Sequence, residues 1–170
     1  MAFFDFIKAA GEKLFSSKDT EAAAAEQSAK PDDAALKAKA DASNRAAGDA
    51  IEAYVKAQNL SATALTVTFN GATGTATVFG VAADQSTKEK ILLCCGNVGG
   101  VAKVDDKMTV EVAEPQATFY TVVSGDNLSK IAKQHYGDAN TYPVIFEANK
   151  PMLKHPDKIY PGQVLRIPAK

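Results

Sequence analysis

The amino-acid sequence predicts an α+β protein: an αββαβ module followed by a βααβ module, led by a short amphipathic helix and an Ala-rich tether. Three observations carry that reading. Two sets of strand and helix signals lie on either side of residues 114–118. The dipeptide Asn70-Gly71 joins two runs rich in Thr, Val and Phe, the signal of a tight hairpin. Between residues 16 and 49 the composition shifts to mainly Ala, Lys, Asp, Glu and Ser, with Leu36 as the one large apolar residue.

Residues 1–15 place Phe3, Ile7, Ala10 and Leu14 at helical spacing, with Asp5, Lys8, Glu12 and Lys13 elsewhere and Gly11 as a break. So short a helix is not stable alone. Its polar face is charge-balanced rather than basic, which favours docking on the protein's own core over a membrane surface. Residues 16–49, interrupted by Pro31-Asp32-Asp33, have no apolar stripe to bury and read as a flexible or transiently helical tether.

Residues 50–113 form the first module. Ile51, Tyr54 and Val55 mark a helix that ends near Asn59, and Leu65–Phe69 and Thr75–Gly80 form the hairpin. Ser86-Thr87-Lys88-Glu89 fits a capping box, with Ser86 at the cap and Glu89 three residues on. The helix it opens carries Ile91, Leu92 and Cys95 and stops at Gly96-Asn97. A last strand covers Val101–Val104 and Met108–Val112.

Residues 119–170 form the second module, after a linker at 114–118. Tyr120-Thr121-Val122 is a strand and Ser124-Gly125-Asp126 a turn, with Asp126 able to cap a helix bearing Leu128, Ile131 and Ala132. A second helix holds Val144, Ile145 and Phe146 and ends before Asn149-Lys150-Pro151. The run from Ile159 to Pro168 is a turn followed by a strand.

Composition excludes several functions. The chain has 170 residues, a formal charge of −1, 46% hydrophobic and 23% charged residues, which suits two small modules. Lys and Arg show no excess, so nucleic acid is not an expected partner. No apolar run is long enough to cross a bilayer, and no secretory leader pattern precedes the first module. Membrane association is therefore not expected, and the expected location is the cytoplasm. Cys94 and Cys95 are adjacent, poor geometry for a stapling disulfide and no zinc spacing; they read as small apolar fillers, with a reactive vicinal pair as the alternative. His135 and His155 have no nucleophile at a recognised spacing, and neither a phosphate-binding loop nor a dinucleotide fingerprint occurs. An enzyme is not expected.

Carboxylates occur as adjacent pairs, Asp32-Asp33 and Asp105-Asp106, rather than as a calcium-type loop. Backbone carbonyls are freed where helices end, and two such places stand out, Ile7–Gly11 and Cys95–Val101. Glycines there let carbonyls curl inward. The alternative is that these glycines only terminate a helix.

Val78-Phe79-Gly80, the helix KEKILL, and Gly96-Asn97-Val98-x-Gly100-Val101-x-x-Val104-Asp105-Asp106 resemble the BON domain. YTVVSGDNLSKIA, IFEANK and IYPGQVLRIP resemble the LysM domain. The LysM resemblance implies a shallow glycan groove formed by Gly125, Asp126, Asn127 and Leu128 on one side and Asn149, Pro151 and Met152 on the other. A glycan or a protein is the partner it implies there.

The order of parts, with FDFIKAAGEKLF ahead of both modules, resembles the bacterial potassium-binding family built from BON and LysM domains. This implies a monomeric cytoplasmic protein that binds K+, becomes more compact on binding, and serves in osmotic or potassium stress. It implies K+ ligands at the backbone of Ile7, Ala10, Gly96, Val98 and Val101. Two other functions compete with it: a glycan-binding envelope protein and a membrane-surface BON protein.

Overall fold

The computed structural model describes residues 3–6 and 11–169, with the side chains of residues 3–5 excepted. The chain opens with strand β1 (Phe3–Asp5), antiparallel to β4 (Lys103–Val112) with Phe4 opposite Val104. The expected leading helix is therefore corrected over these residues. An aromatic run is a good strand former, and the edge of β4 supplies hydrogen bonds that an isolated helical turn lacks. Gly11 bends the chain at φ +111°, and Glu12 is bridged in parallel to Val98. The part of the helix expected over residues 7–10 lies outside the described residues.

The expected tether is corrected as well. Residues 16–57 form a helical hairpin of α1 (Ser17–Ala29) and α2 (Ala34–Ala57). Ser16 caps α1 by accepting from Asp19 N at 3.3 Å, and Asp33 caps α2 by accepting from Ala35 N and Leu36 N at 3.0 and 3.1 Å. Each cap satisfies N–H groups that the helix cannot pair itself. Alanine, small enough to let helices approach closely, supplies the contact: Ala23, Ala24 and Ala40 are all buried. The Pro31-Asp32-Asp33 breaker turns the chain between helices. α2 then continues through residue 50, the expected start of the first module, without interruption.

Beyond the hairpin the expected αββαβ order is present. β2 (Thr63–Asn70) and β3 (Thr75–Asp84) are antiparallel. α3 (Gln85–Gly96) crosses over to β4, which pairs with β3 in parallel, giving the sheet order β1-β4-β3-β2. Strand alternation buries Leu65, Val67 and Phe69, Ala76 and Val78, and Val104 and Met108. Ile51 and Val55 of α2, with Ile91, Leu92 and Cys95 of α3, complete that core. The α3 cap differs from the expected Ser86: Asp84 accepts from Thr87 N at 2.6 Å. That bond is the main reason the Asp84 carboxyl sits below its ordinary pKa. Glu89, expected to complete the cap, points elsewhere.

The second module pairs β5 (Thr118–Thr121) antiparallel with β6 (Val164–Ile167). Between them lie α4 (Leu128–Tyr136), a short 3-10 turn at Ala139–Thr141, and α5 (Tyr142–Ala148). Val122, Leu128, Ile131, Ile145, Leu153 and Leu165 form its core. Asn127 rather than Asp126 caps α4, accepting from Lys130 N at 2.9 Å. Asp126 instead accepts from Tyr120 Oη and Val123 N, both at 2.9 Å, and so closes the turn.

Candidate functional site: a glycine-rich turn between the modules

The turn after α3 is where the described part of the N-terminal segment and both modules meet. Asn97 N donates to Leu93 O at 2.9 Å and ends the helix. Carbonyls past that point are free of the helical ladder and carry the negative end of its dipole. Gly96, Val98 and Val101, three of the five expected ligands, come together in this one turn and are buried. Val98 O also accepts from Val101 N at 3.1 Å, which leaves its second lone pair for another partner. Ile7 and Ala10, the other two, lie outside the described residues.

The flanks of residues 7–10 are both fixed on this turn. On one side Phe6 N donates to Ala102 O at 2.8 Å. On the other, Glu12 N donates to Asn97 O at 2.9 Å and Glu12 O accepts from Gly99 N at 2.7 Å. Glycine is required by close approach. A Cβ on Gly96 would fall inside the Phe6 ring, and one on Gly11, at φ +111°, would fall on Asn97 O. Further along, Phe15 packs edge-on against Phe69 with ring centroids 5.0 Å apart, holding the segment to the sheet.

The surroundings are apolar. Cys94, Cys95, Val98 and Val101 have no exposed surface. Burial pushes the Cys94 thiol up to about 12 and raises Cys95 well above its ordinary range. Neither forms a disulfide. They stay protonated at neutral pH, so packing rather than thiol reactivity explains them. Among the described residues no group of three or more His, Cys, Asp or Glu side chains could hold a metal ion. Asn97 Oδ1, the side-chain oxygen of the turn, accepts from Val164 N at 2.9 Å; the other oxygens of residues 96–101 are backbone carbonyls.

The second module closes over the turn through contacts that the sequence did not reveal. Arg166 Nε lies 2.6 Å from Glu89 Oε2, with both residues buried. Glu89 Oε1 accepts from Gln85 Nε2 at 2.8 Å and from Ala117 N at 3.0 Å, so the buried carboxylate is well served. The only traces in the sequence were a Glu and a Gln four residues apart on an otherwise apolar helix face, and an Arg inside the strand VLRI. A cleft of about 380 Å³ remains between the modules, lined by Tyr54, Tyr160, Glu12 and Asn97 among others. Burial, then Cys94, Glu12 and Tyr160, raise Tyr54 to about 12; burial and Glu12 raise Tyr160. Both hydroxyls therefore stay neutral.

The residues expected to form a glycan groove are mostly engaged. Leu128 is core, Asn127 and Asp126 use side-chain oxygens to hold their turn, and Gly125 and Asn127 are exposed. The Asn149 amide donates to Ile145 O and Arg166 O at 2.7 and 2.8 Å and accepts from Arg166 N at 2.8 Å. Pro151 and Met152 face Leu60 and Leu93 of the first module across a space of about 10 Å³, no more than one water.

Comparison with known protein families matches the sequence to a BON domain over residues 43–112 and a LysM domain over residues 120–168. The chain is 46% identical over 168 residues to the potassium binding protein Kbp of Escherichia coli O6:H1, covering 99% of each. Shorter similarities cover 31% of this chain. One is 53% identity over 52 residues to an uncharacterized protein of Deinococcus radiodurans, 20% of whose length is matched. Another is 49% identity over 53 residues to an esterase of Mycobacterium tuberculosis, 11% of whose length is matched. With near-complete coverage at that identity, and a BON domain followed by a LysM domain, the chain belongs to the family of the potassium binding protein Kbp.

Proposed function

We propose that this chain is a cytoplasmic potassium-ion-binding protein, a sensor or buffer for osmotic and potassium stress. K+ is held by backbone carbonyls of Ile7, Ala10, Gly96, Val98 and Val101 and draws the chain into a more compact state. The observation that carries this reading is the tie of Phe6 to Ala102 and of Glu12 to Asn97 and Gly99, which holds the described residues of the N-terminal segment against the turn. A large monovalent cation suits neutral carbonyls, whereas Ca2+ prefers clustered carboxylates. Similarity over 99% of both chains to a protein named for potassium binding supports the same ligand.

Ligands drawn from two segments make the ion a link between them. Binding stabilises the linked arrangement by RT ln(1 + [L]/Kd), about 2.7 kcal/mol at a hundredfold excess over Kd. The LysM domain is read as the element that closes on BON rather than as a glycan receptor, because the Asn149 amide is committed to Arg166 and Ile145. The test is a K+ titration followed by NMR on the full chain and on a chain lacking residues 1–15. The full chain is expected to give saturable shifts at residues 96–101. The truncated chain is expected to give none, with its LysM amides still dispersed. The same saturable shifts in the truncated chain would rule out a site shared with the N-terminal segment.

A further inference from the structure

Among the described residues, strand β6 has β5 on one side and no strand on the other. Its second side is filled instead by two asparagine side chains that imitate a neighbouring strand. Asn149 pairs with the backbone of Arg166, donating and accepting at 2.8 Å each way. Asn97 does the same for Val164, donating to Val164 O at 3.0 Å and accepting from Val164 N at 2.9 Å. Asn149 belongs to the LysM domain. Asn97 belongs to the BON domain and stands between Gly96 and Val98.

Every polar group of Asn97 is thereby used. Its N–H goes to Leu93, its C=O receives Glu12 N–H, and its amide holds Val164. The amide nitrogen also lies 3.3 Å from Met152 Sδ. The peptide plane that carries Gly96 O also carries Asn97 N, and planarity turns both together. Drawing Gly96 O to an ion turns the plane before the Asn97 Cα, the plane after it is held by Glu12 N–H on Asn97 O, and Val98 O stands one further plane away; the two flanking planes set the direction in which the amide points.

We propose that Asn97 is the positioning residue that couples ion occupancy of the turn to docking of the LysM domain. This rests on the potassium reading above. With the carbonyls of residues 96 and 98 drawn to the ion, the Asn97 amide is aimed at Val164. With them released, the amide swings away and leaves the buried N–H and C=O of Val164 without partners. The coupling is reciprocal: docking tightens ion binding by the same factor that the ion favours docking.

The experiment uses the full chain as wild type, Asn97→Ala, Asn97→Ser and Asn149→Ala. Ion binding is read from amide shifts of Val98 and Val101 during K+ titration. Docking is read from hydrogen exchange of Ala117 N–H and Arg166 Nε–H, whose acceptor is Glu89. In the wild type, K+ is expected to slow those two exchanges by about tenfold or more, in the usual range of such couplings. In Asn97→Ala the loop still titrates, the K+-dependent slowing is lost, and Kd rises by the factor lost. Asn97→Ser, too short to reach both groups of Val164, behaves likewise. Asn149→Ala weakens the LysM fold but keeps the K+ response. Full K+-dependent slowing in both Asn97 variants would overturn the coupling while leaving the ion site standing. A wild type whose loop amides ignore K+ would overturn the ion reading and this proposal with it.

Discussion

Gly11 and Gly96 are the residues whose substitution should cost most for the atoms added. Gly11→Ala demands both a left-handed backbone and room already held by Asn97 O, and Gly96→Ala drives a methyl into the Phe6 ring. Each is expected to lower the stability of the BON domain by about 1–3 kcal/mol, the usual range for overpacking, and to weaken K+ binding. Urea unfolding, with K+ titration alongside, measures both. Substitution at Gly125, where a Cβ meets nothing within 4 Å, should leave K+ binding unchanged.

The buried thiols predict a pH dependence. Cys94 is raised from near 9 to about 12 and Tyr54 from 10 to about 12, so the folded chain holds protons that the unfolded chain has released across that interval. Stability is then complete below about pH 9 and falls as pH rises toward 12. Alkaline unfolding followed by circular dichroism should show the fall, and Cys94→Ala should make it shallower. An aromatic disulfide reagent should label neither thiol at neutral pH until denaturant is added. Carbonyl ligands do not titrate, so K+ affinity should be flat between about pH 6 and 8.

At the scale of elements, the sequence was most legible where patterns were strong. Alternation in β2 and β3, the Asn70-Gly71 turn and the apolar face of α3 each follow from periodicity. It failed where a short segment's conformation is chosen by its neighbour. Phe3–Asp5 has helical spacing around it, yet β4 offers it a ladder. The α1–α2 hairpin was hidden because helix packing through alanine leaves no large apolar stripe to detect, although Ser16 and Asp33 announced its caps. Asp33→Ala is expected to cost about 1 kcal/mol in thermal or urea unfolding, as cap losses do, without moving K+ affinity. A change in affinity comparable to that of Gly11→Ala would mean that the hairpin takes part in the site.

Across the whole molecule, the contacts between the two domains among the described residues include a buried ion pair and a side-chain imitation of a strand. Glu89 and Arg166 lie 77 positions apart, and no local pattern in the chain relates them. That Gly96, Val98 and Val101 share one turn after a helix was legible from the glycines, whereas the Asn97 amide that reaches Val164 was not. Removing one partner of a buried pair strands the other, so Arg166→Met is expected to cost about 3–5 kcal/mol in unfolding and to loosen docking. Pairing it with Glu89→Leu should recover part of that loss in a double-mutant cycle.

In the proposed site the turn holds K+ through neutral oxygens supplied from two segments. Calorimetric titration of the full chain with K+ and with Na+ at matched ionic strength tests it most directly. A saturable one-site isotherm is expected for K+, with markedly weaker or absent binding of Na+. Indistinguishable isotherms for the two ions, or no saturable binding of K+, would contradict it.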